Sequence, residues 1–122
     1  MKRITGVRTV SEWLAALGTS GGGCLGALRD LYGDDEALLA GKAAEFRRAL
    51  EAFAAAYGTA APALVVRSAG RVNLLGMHVD HRGGHVNPIA ISELLLIAEP
   101  RDDDRVVLAN TDPARYPDDA FA

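Results

Sequence analysis

The strongest constraint on the fold is a stripe of apolar residues that recur at steps of three and four. The stripe contains Leu39, Ala43, Phe46, Leu50, Phe53 and Tyr57. Such spacing places side chains on one face of an α-helix. Asp34 can cap the start of this helix and Gly58 can end it. We expect a long helix that packs on its own domain, and presentation of the stripe to a partner protein is the alternative.

Two shorter helices are predicted before this stripe. Thr9 and Glu12 have the spacing of a capping box, and the helix that they open would stop at Gly18. The segment CLGALRDLYG predicts a second helix that ends at Gly33 and begins with Cys24 as a small apolar residue, not a reactive thiol. The stretch GTSGGG at residues 18–23 is typical of a flexible linker.

Near residue 60 the sequence changes character, and β-branched and apolar runs predict strands after it. The runs are ALVVRSA, VNPIAIS, ELLLIAEP and RVVLAN. The last two flank the polar turn RDDD and predict a hairpin, and a solvated turn is favoured there over a cation site on residues 102–104. The order of elements indicates an α+β protein, with a helical segment at residues 1–60 and a strand-rich domain at residues 61–122.

Composition and charge exclude several functions. The 16 acidic and 13 basic residues give a formal net charge of −3, which argues against a nucleic-acid-binding protein. A single cysteine rules out an internal disulfide and fits a reducing compartment. The N-terminus lacks the apolar run of a signal peptide, and no stretch has the length of a membrane span. We expect a soluble cytoplasmic protein with no nucleic-acid or membrane partner, and the sequence leaves the oligomeric state open.

All three histidines lie in one stretch, GRVNLLGMHVDHRGGHVNP, at residues 70–88. Its segment HVDHRGG resembles the H-x-D-H-x-G-G core of the metallo-β-lactamase superfamily. That pattern has a further histidine two residues before the core, where this chain has Gly76, and a glycine side chain cannot bind a metal. A metal-dependent hydrolase fragment is therefore the weaker alternative, and we expect no metal site.

A longer agreement covers residues 65–91, VVRSAGRVNLLGMHVDHRGGHVNPIAI, which resembles the first signature motif of galactokinases, within the GHMP family of small-molecule kinases. The matching residues are Gly70, Arg71, Val72, Asn73, Leu74, Gly76, His78, Asp80, Gly84, Val86, Pro88, Ala90 and Ile91. The resemblance implies a sugar kinase that uses ATP to phosphorylate the anomeric hydroxyl of galactose or a related sugar. It also implies part of the two-layer N-terminal domain of GHMP kinases, similar to ribosomal protein S5 domain 2 and incomplete here.

The resemblance implies roles for individual residues in this stretch. Arg71 would be catalytic, because its permanent charge suits negative charge that develops on the sugar oxygen and the phosphoryl group. Asp80 would bind two neighbouring sugar hydroxyls, and His78, one alternation away on an extended backbone, would face the same side. Gly83 and Gly84 would let the chain turn close to the sugar.

Departures from the family pattern concern the choice of sugar. Met77 stands where the family has a glutamate that helps to bind the far hydroxyl of the sugar, and His81-Arg82 replace Tyr-Asn. We expect Met77 and Arg82 to contact a sugar that differs from galactose at the exocyclic carbon, either without the hydroxyl or with an acid there. Arg82 or His81 could meet a carboxylate at that carbon. For Asn73, a turn-stabilising role and a functional role are equally well supported.

The nucleotide-binding loop of the family is not found in this sequence. That Gly/Ser-rich loop follows the first motif in the family, whereas the Gly-rich stretch at residues 18–23 precedes it. ATP and Mg²⁺ are therefore expected as cofactors of a full-length enzyme, with no site in this chain, which we expect to be an inactive and marginally stable N-terminal piece. A non-catalytic sugar-binding or regulatory relative is the alternative.

Overall fold

The structure is a computed structural model that describes residues 6–18, 23–76, 80–99 and 101–121, with the backbone alone described at Asp80. The helices are α1 (Val10–Gly18), α2 (Cys24–Tyr32) and α3 (Glu36–Tyr57). The strands are β1 (Arg8–Thr9), β2 (Pro62–Leu75), β3 (Asn87–Ala98), β4 (Val106–Leu108) and β5 (Asp119–Phe121). Helices and antiparallel strands in this order are compatible with the predicted α+β class.

Helix α1 begins at the predicted capping box. The Thr9 amide donates to Oε2 of Glu12 at 2.8 Å, and the Glu12 amide donates to Oγ1 of Thr9 at 3.3 Å. The hydrogen bonds from the amide and the hydroxyl of Thr9 lower the pKa of Glu12. The helix ends at Gly18 as predicted. The linker prediction falls mainly on residues 19–22, which lie outside the described residues.

The other two helices end at the predicted glycines, Gly33 and Gly58. Each glycine amide donates to the carbonyl four residues earlier at 2.8 Å. The predicted start of α3 is wrong by one residue, because Asp35 and not Asp34 is the N-cap. The Oδ1 atom of Asp35 accepts a hydrogen bond from the Leu38 amide at 3.0 Å, which satisfies a donor that the helix itself leaves free.

The core of the described chain lies around the three helices. Its buried residues are Val10, Trp13, Leu17, Cys24, Leu28, Leu39, Leu50 and Ala63. Two members of the stripe, Leu39 and Leu50, are almost fully buried as α3 packs against α1 and α2. The expectation that this helix packs on its own domain is confirmed. Burial of such a side chain stabilises the fold by about 1.5–3 kcal/mol.

Cys24 is the first residue of α2 and is buried, as predicted. Burial raises the pKa of its thiol, and the positive charge of Arg8 opposes that shift more weakly. The thiol is therefore held in its neutral form, which is a poor nucleophile.

The start of α1 is fixed to the beginning of β2. The indole Nε1 of Trp13 donates to the carbonyl oxygen of Ala63 at 2.9 Å. Strand β1 pairs antiparallel with β2, and Arg8 lies opposite Ala63 in this pairing. A buried indole N–H thus has its partner, and the first turn of α1 is joined to the sheet.

The strand-rich half departs from the prediction. Strand β2 extends well beyond ALVVRSA, and β3 joins VNPIAIS to most of ELLLIAEP. In the described residues β3 neighbours β2 while β4 pairs with β5, so the predicted hairpin across RDDD is wrong. Within the RDDD segment, the guanidinium of Arg101 donates two hydrogen bonds to the carboxylate of Asp103, at 2.6 and 2.7 Å.

The chain divides into two compact units. One consists of Met1–Leu64 with Ile97–Ala122, and the other is Val65–Leu96, here called the hairpin unit. Within the hairpin unit, no residue whose burial is described is buried. Among the described helices, none is long and apolar enough to cross a membrane.

Candidate functional site

The hairpin unit contains most of β2 and β3 and the connection between them. A Cβ built on Gly70 would lie 3.0 Å from the carbonyl oxygen of Ser92, whereas Gly76 lies against His85 and Val86. As the residue number rises along β2, the number of the facing residue falls, so β2 and β3 run antiparallel. The connection after Gly76 carries the histidine-rich stretch.

Gly76 leaves no room for a side chain. Its φ is +83°, and a Cβ there would overlap the carbonyl oxygen of His85 and lie 3.0 Å from Cα of Val86. A histidine at this position, which the metallo-β-lactamase pattern requires, does not fit. The described residues also contain no group of three metal-binding side chains.

The chain then turns at a 3-10 turn over Asp80–Arg82. Gly83 follows with φ +77°, in agreement with the turn expected at this glycine, and Gly84 continues in irregular backbone. The extended backbone predicted to align His78 with Asp80 is wrong at Asp80, because the 3-10 turn starts there.

The predicted site residues are described to different extents. Arg71 lies on β2 and Arg82 in the 3-10 turn, and both side chains are exposed. Neither guanidinium takes part in a hydrogen bond or an ion pair in the part of the chain that the structure describes. Both charges are therefore available to an anionic group. The predictions for Met77 and His78 lie outside the described residues, and for Asp80 only the backbone is described.

Asn73 lies within β2, so the turn-stabilising role considered for it is wrong. Its Oδ1 atom is buried and has no hydrogen-bond partner among the described residues. Because a buried acceptor without a donor costs free energy, this oxygen can accept a hydrogen bond from a ligand or another segment. Sequence reasoning left the role of this residue open, since burial of a single atom has no local sequence signal.

An ion pair joins the two strands of the hairpin unit. Nε of Arg67 lies 3.4 Å from Oε2 of Glu93, and the Glu93 side chain is 10% exposed. This arginine is consequently engaged in the strand pair, in contrast to Arg71 further along β2.

A shallow depression occurs in the other unit, lined by Tyr57, Glu99, Arg101, Asp102 and Asp103. The hydrogen bonds between Arg101 and Asp103 raise the pKa of the guanidinium and lower the pKa of the carboxyl. The side chains of Arg101 and Asp103 are therefore engaged with each other.

Comparisons with known proteins find similarity to galactokinases over part of the chain. Residues 51–98 match the family model "Galactokinase galactose-binding signature". A galactokinase of Candida parapsilosis is 42% identical over 52 residues, which are 42% of this chain and 10% of that protein. No solved structure matches.

Two bacterial relatives give the same result. A galactokinase of Roseiflexus sp. (strain RS-1) is 44% identical over 46 residues, which are 38% of this chain and 12% of that protein. A galactokinase of Clostridium tetani (strain Massachusetts / E88) is 49% identical over 45 residues, which are 36% of this chain and 12% of that protein. The matching part of the chain therefore spans about a tenth of the length of these relatives. The resemblance to galactokinases is confirmed, and the family model places it at residues 51–98.

Proposed function

Because residues 51–98 carry the galactokinase galactose-binding signature, we propose that this chain supplies the sugar-binding loop of a galactokinase-like sugar kinase. The proposed reaction is ATP-dependent phosphorylation of the anomeric hydroxyl of galactose or a related sugar, by a full-length enzyme in the cytoplasm. ATP and Mg²⁺ would bind outside this chain. The proposed fold is the start of the N-terminal domain of a GHMP kinase.

The exposed guanidinium of Arg71 supports a catalytic role in that enzyme. Negative charge develops on the attacking sugar oxygen and on the phosphoryl group during transfer, and a permanent cation stabilises both. Arg71 makes no hydrogen bond or ion pair within the described residues, so its charge is not neutralised by a partner there.

The sugar would be held at the connection between β2 and β3. Asp80, at the start of the 3-10 turn, offers two carboxylate oxygens to neighbouring hydroxyls, and His78 can donate or accept a further hydrogen bond. The positive φ of Gly83 and the adjacent Gly84 allow the backbone to come close to the ring without an intervening Cβ.

The preferred sugar would differ from galactose at its exocyclic carbon. Met77 has no acceptor for a hydroxyl there, while the exposed Arg82 has no ion-pair partner in the described chain. A guanidinium forms charge-assisted hydrogen bonds with a carboxylate, and a methionine favours an apolar group. A uronic acid or a 6-deoxy sugar of the galacto series fits these side chains.

Calorimetric titration of the chain with galactose, fucose, galacturonate and glucose tests the proposal. We expect galacturonate or fucose to bind more tightly than galactose, and glucose not to bind. The variant Arg82→Ala should lose the preference for galacturonate, whereas Arg105→Ala, in the other unit, should retain it.

Failure of every galacto sugar to bind contradicts the proposed function. Binding with a preference for galactose contradicts only the proposed specificity. A non-catalytic sugar-binding relative would bind the sugar, but its full-length form would not consume ATP when the sugar is added.

A further inference from the structure

Two backbone segments of the hairpin unit come close together where β2 ends and the chain returns towards β3. A Cβ on Gly76 would overlap the carbonyl oxygen of His85 and lie 3.0 Å from Cα of Val86. These are backbone atoms, so rotation of a side chain cannot relieve the overlap. The close contact between Gly76 and His85, here called the neck, thus holds the two ends of the connection together.

Three other glycines of the described chain lack the combination of a positive φ and a backbone contact that excludes a Cβ. Gly83 has φ +77°, but a Cβ there would meet nothing within 4 Å. Gly70 lies close to the backbone of Ser92, although its φ is outside the left-handed region. Gly26, inside helix α2, has open space and no positive φ. Gly76 alone among these four has both a left-handed φ and a backbone contact that excludes a Cβ.

We infer that Gly76 is a positioning residue for the sugar-binding connection. Its close contact with His85 holds the two ends of the connection together and so fixes the position of the Asp80–Arg82 turn. The statement that the ligand is a sugar rests on the proposed function. A connection whose ends are held against each other has fewer conformations to lose when a ligand binds. A Cβ at residue 76 would separate the ends and displace the turn.

Stereochemistry provides the sharpest test. In Gly76→Ala the methyl group points at His85 and the residue disfavours positive φ. Substitution of Gly76 by D-alanine, through chemical ligation, places the methyl on the other Cα hydrogen and favours positive φ. Gly33→Ala, with strain from φ alone and outside the hairpin unit, and Gly26→Ala, with neither feature, are the matched controls.

Two measurements are made on each variant of the full chain. Hydrogen exchange reports the protection of the amides of residues 80–86, with the amides of α3 as a probe of global folding. Calorimetry reports the affinity for galactose and for galacturonate. A loss in Gly76→Ala that the D-alanine variant does not share comes from the direction of the methyl group or from its effect on φ, and not from its size.

We expect Gly76→Ala to weaken sugar binding by about 10- to 100-fold and to speed amide exchange at residues 80–86, with α3 unchanged. The D-alanine variant should match the natural protein in both measurements, and Gly33→Ala should lose less affinity than Gly76→Ala. The inference is overturned if Gly76→Ala behaves as the natural protein does, or if D-alanine is as harmful as L-alanine. If the natural chain binds no sugar, the proposed function fails, and the exchange rates alone decide whether the neck positions the turn.

Discussion

Helices α1–α3 and the hairpin unit differ most in burial. Every buried apolar residue of the described chain lies between Val10 and Ala63. In the hairpin unit, Leu74, Leu75 and Leu94 are 59%, 71% and 59% exposed. The helices therefore contribute the core, while the strands that carry the galactokinase signature contribute little burial. Side chains that are not engaged in packing, such as Arg71, are available for binding.

The largest expected difference between the helices and the hairpin unit is the loss of stability when a leucine in each is replaced by alanine. Leu50→Ala removes a fully buried side chain from α3 and should lower the free energy of unfolding by about 2–5 kcal/mol. Leu94→Ala, in the hairpin unit, should lower it by less than about 1 kcal/mol. Urea unfolding followed by circular dichroism measures both. Equal losses in the two variants would contradict the assignment of the core to the helices.

A second prediction concerns binding without a change in stability. Asp80→Asn should weaken sugar affinity by about 10- to 100-fold, because hydrogen bonds to a charged group are worth about 1.5–3 kcal/mol. The melting temperature of the helices should stay the same. Asp104→Asn, an exposed change in the other unit, is the control. A variant that melts normally and binds sugar as well as the natural chain would exclude Asp80 from the site.

The caps of the helices give a smaller effect. Asp35→Ala removes the hydrogen bond to the Leu38 amide and should cost about 1 kcal/mol. Asp34→Ala should cost less than about 0.5 kcal/mol. Its carboxylate makes an exposed ion pair with Arg29 at 3.5 Å, and such surface pairs contribute little to stability. Thermal melts of the two variants decide between the adjacent aspartates, and a larger loss for Asp34→Ala would restore the cap suggested by the sequence.

The smallest expected effect is a dependence of the stability of the fold on pH. The folded chain lowers the pKa of Glu12 through its hydrogen bonds with Thr9. The stabilisation is therefore present above the ordinary pKa of a glutamate and is lost as pH falls through the lowered value. Thermal melts at falling pH should show a shallower decline for Glu12→Gln than for the natural chain. Parallel curves would show that this capping box does not respond to pH.

The helical half was well predicted because its signals are local. A capping box, a stripe at helical spacing and a terminal glycine each act within a few residues, which explains the success at Glu12, Gly18, Gly33 and Gly58. The cap of α3 was placed one residue early because both aspartates of GDDE have the chemistry of a cap. Only the hydrogen bond to Leu38 distinguishes them.

The strand-rich half was predicted less well because strand pairing is not local. The run RVVLAN resembles a hairpin partner for ELLLIA, yet β4 pairs with Asp119–Phe121 near the C-terminus. Nothing in a short apolar run specifies which distant segment it will meet. Similarly, the sequence supplied Gly76 as a motif residue, but the contact with His85 that explains it depends on how β2 and β3 pair.

A chemical-shift titration of the isotope-labelled chain shows which part of the molecule binds the sugar. Galactose and galacturonate are added in turn, with glucose as the control sugar, and every backbone amide is followed. We expect saturable shifts confined to the hairpin unit, Val65–Leu96, with the amides of α1–α3 unchanged. Shifts centred on the helices, or no shift at saturating concentrations of both galacto sugars, would contradict this expectation.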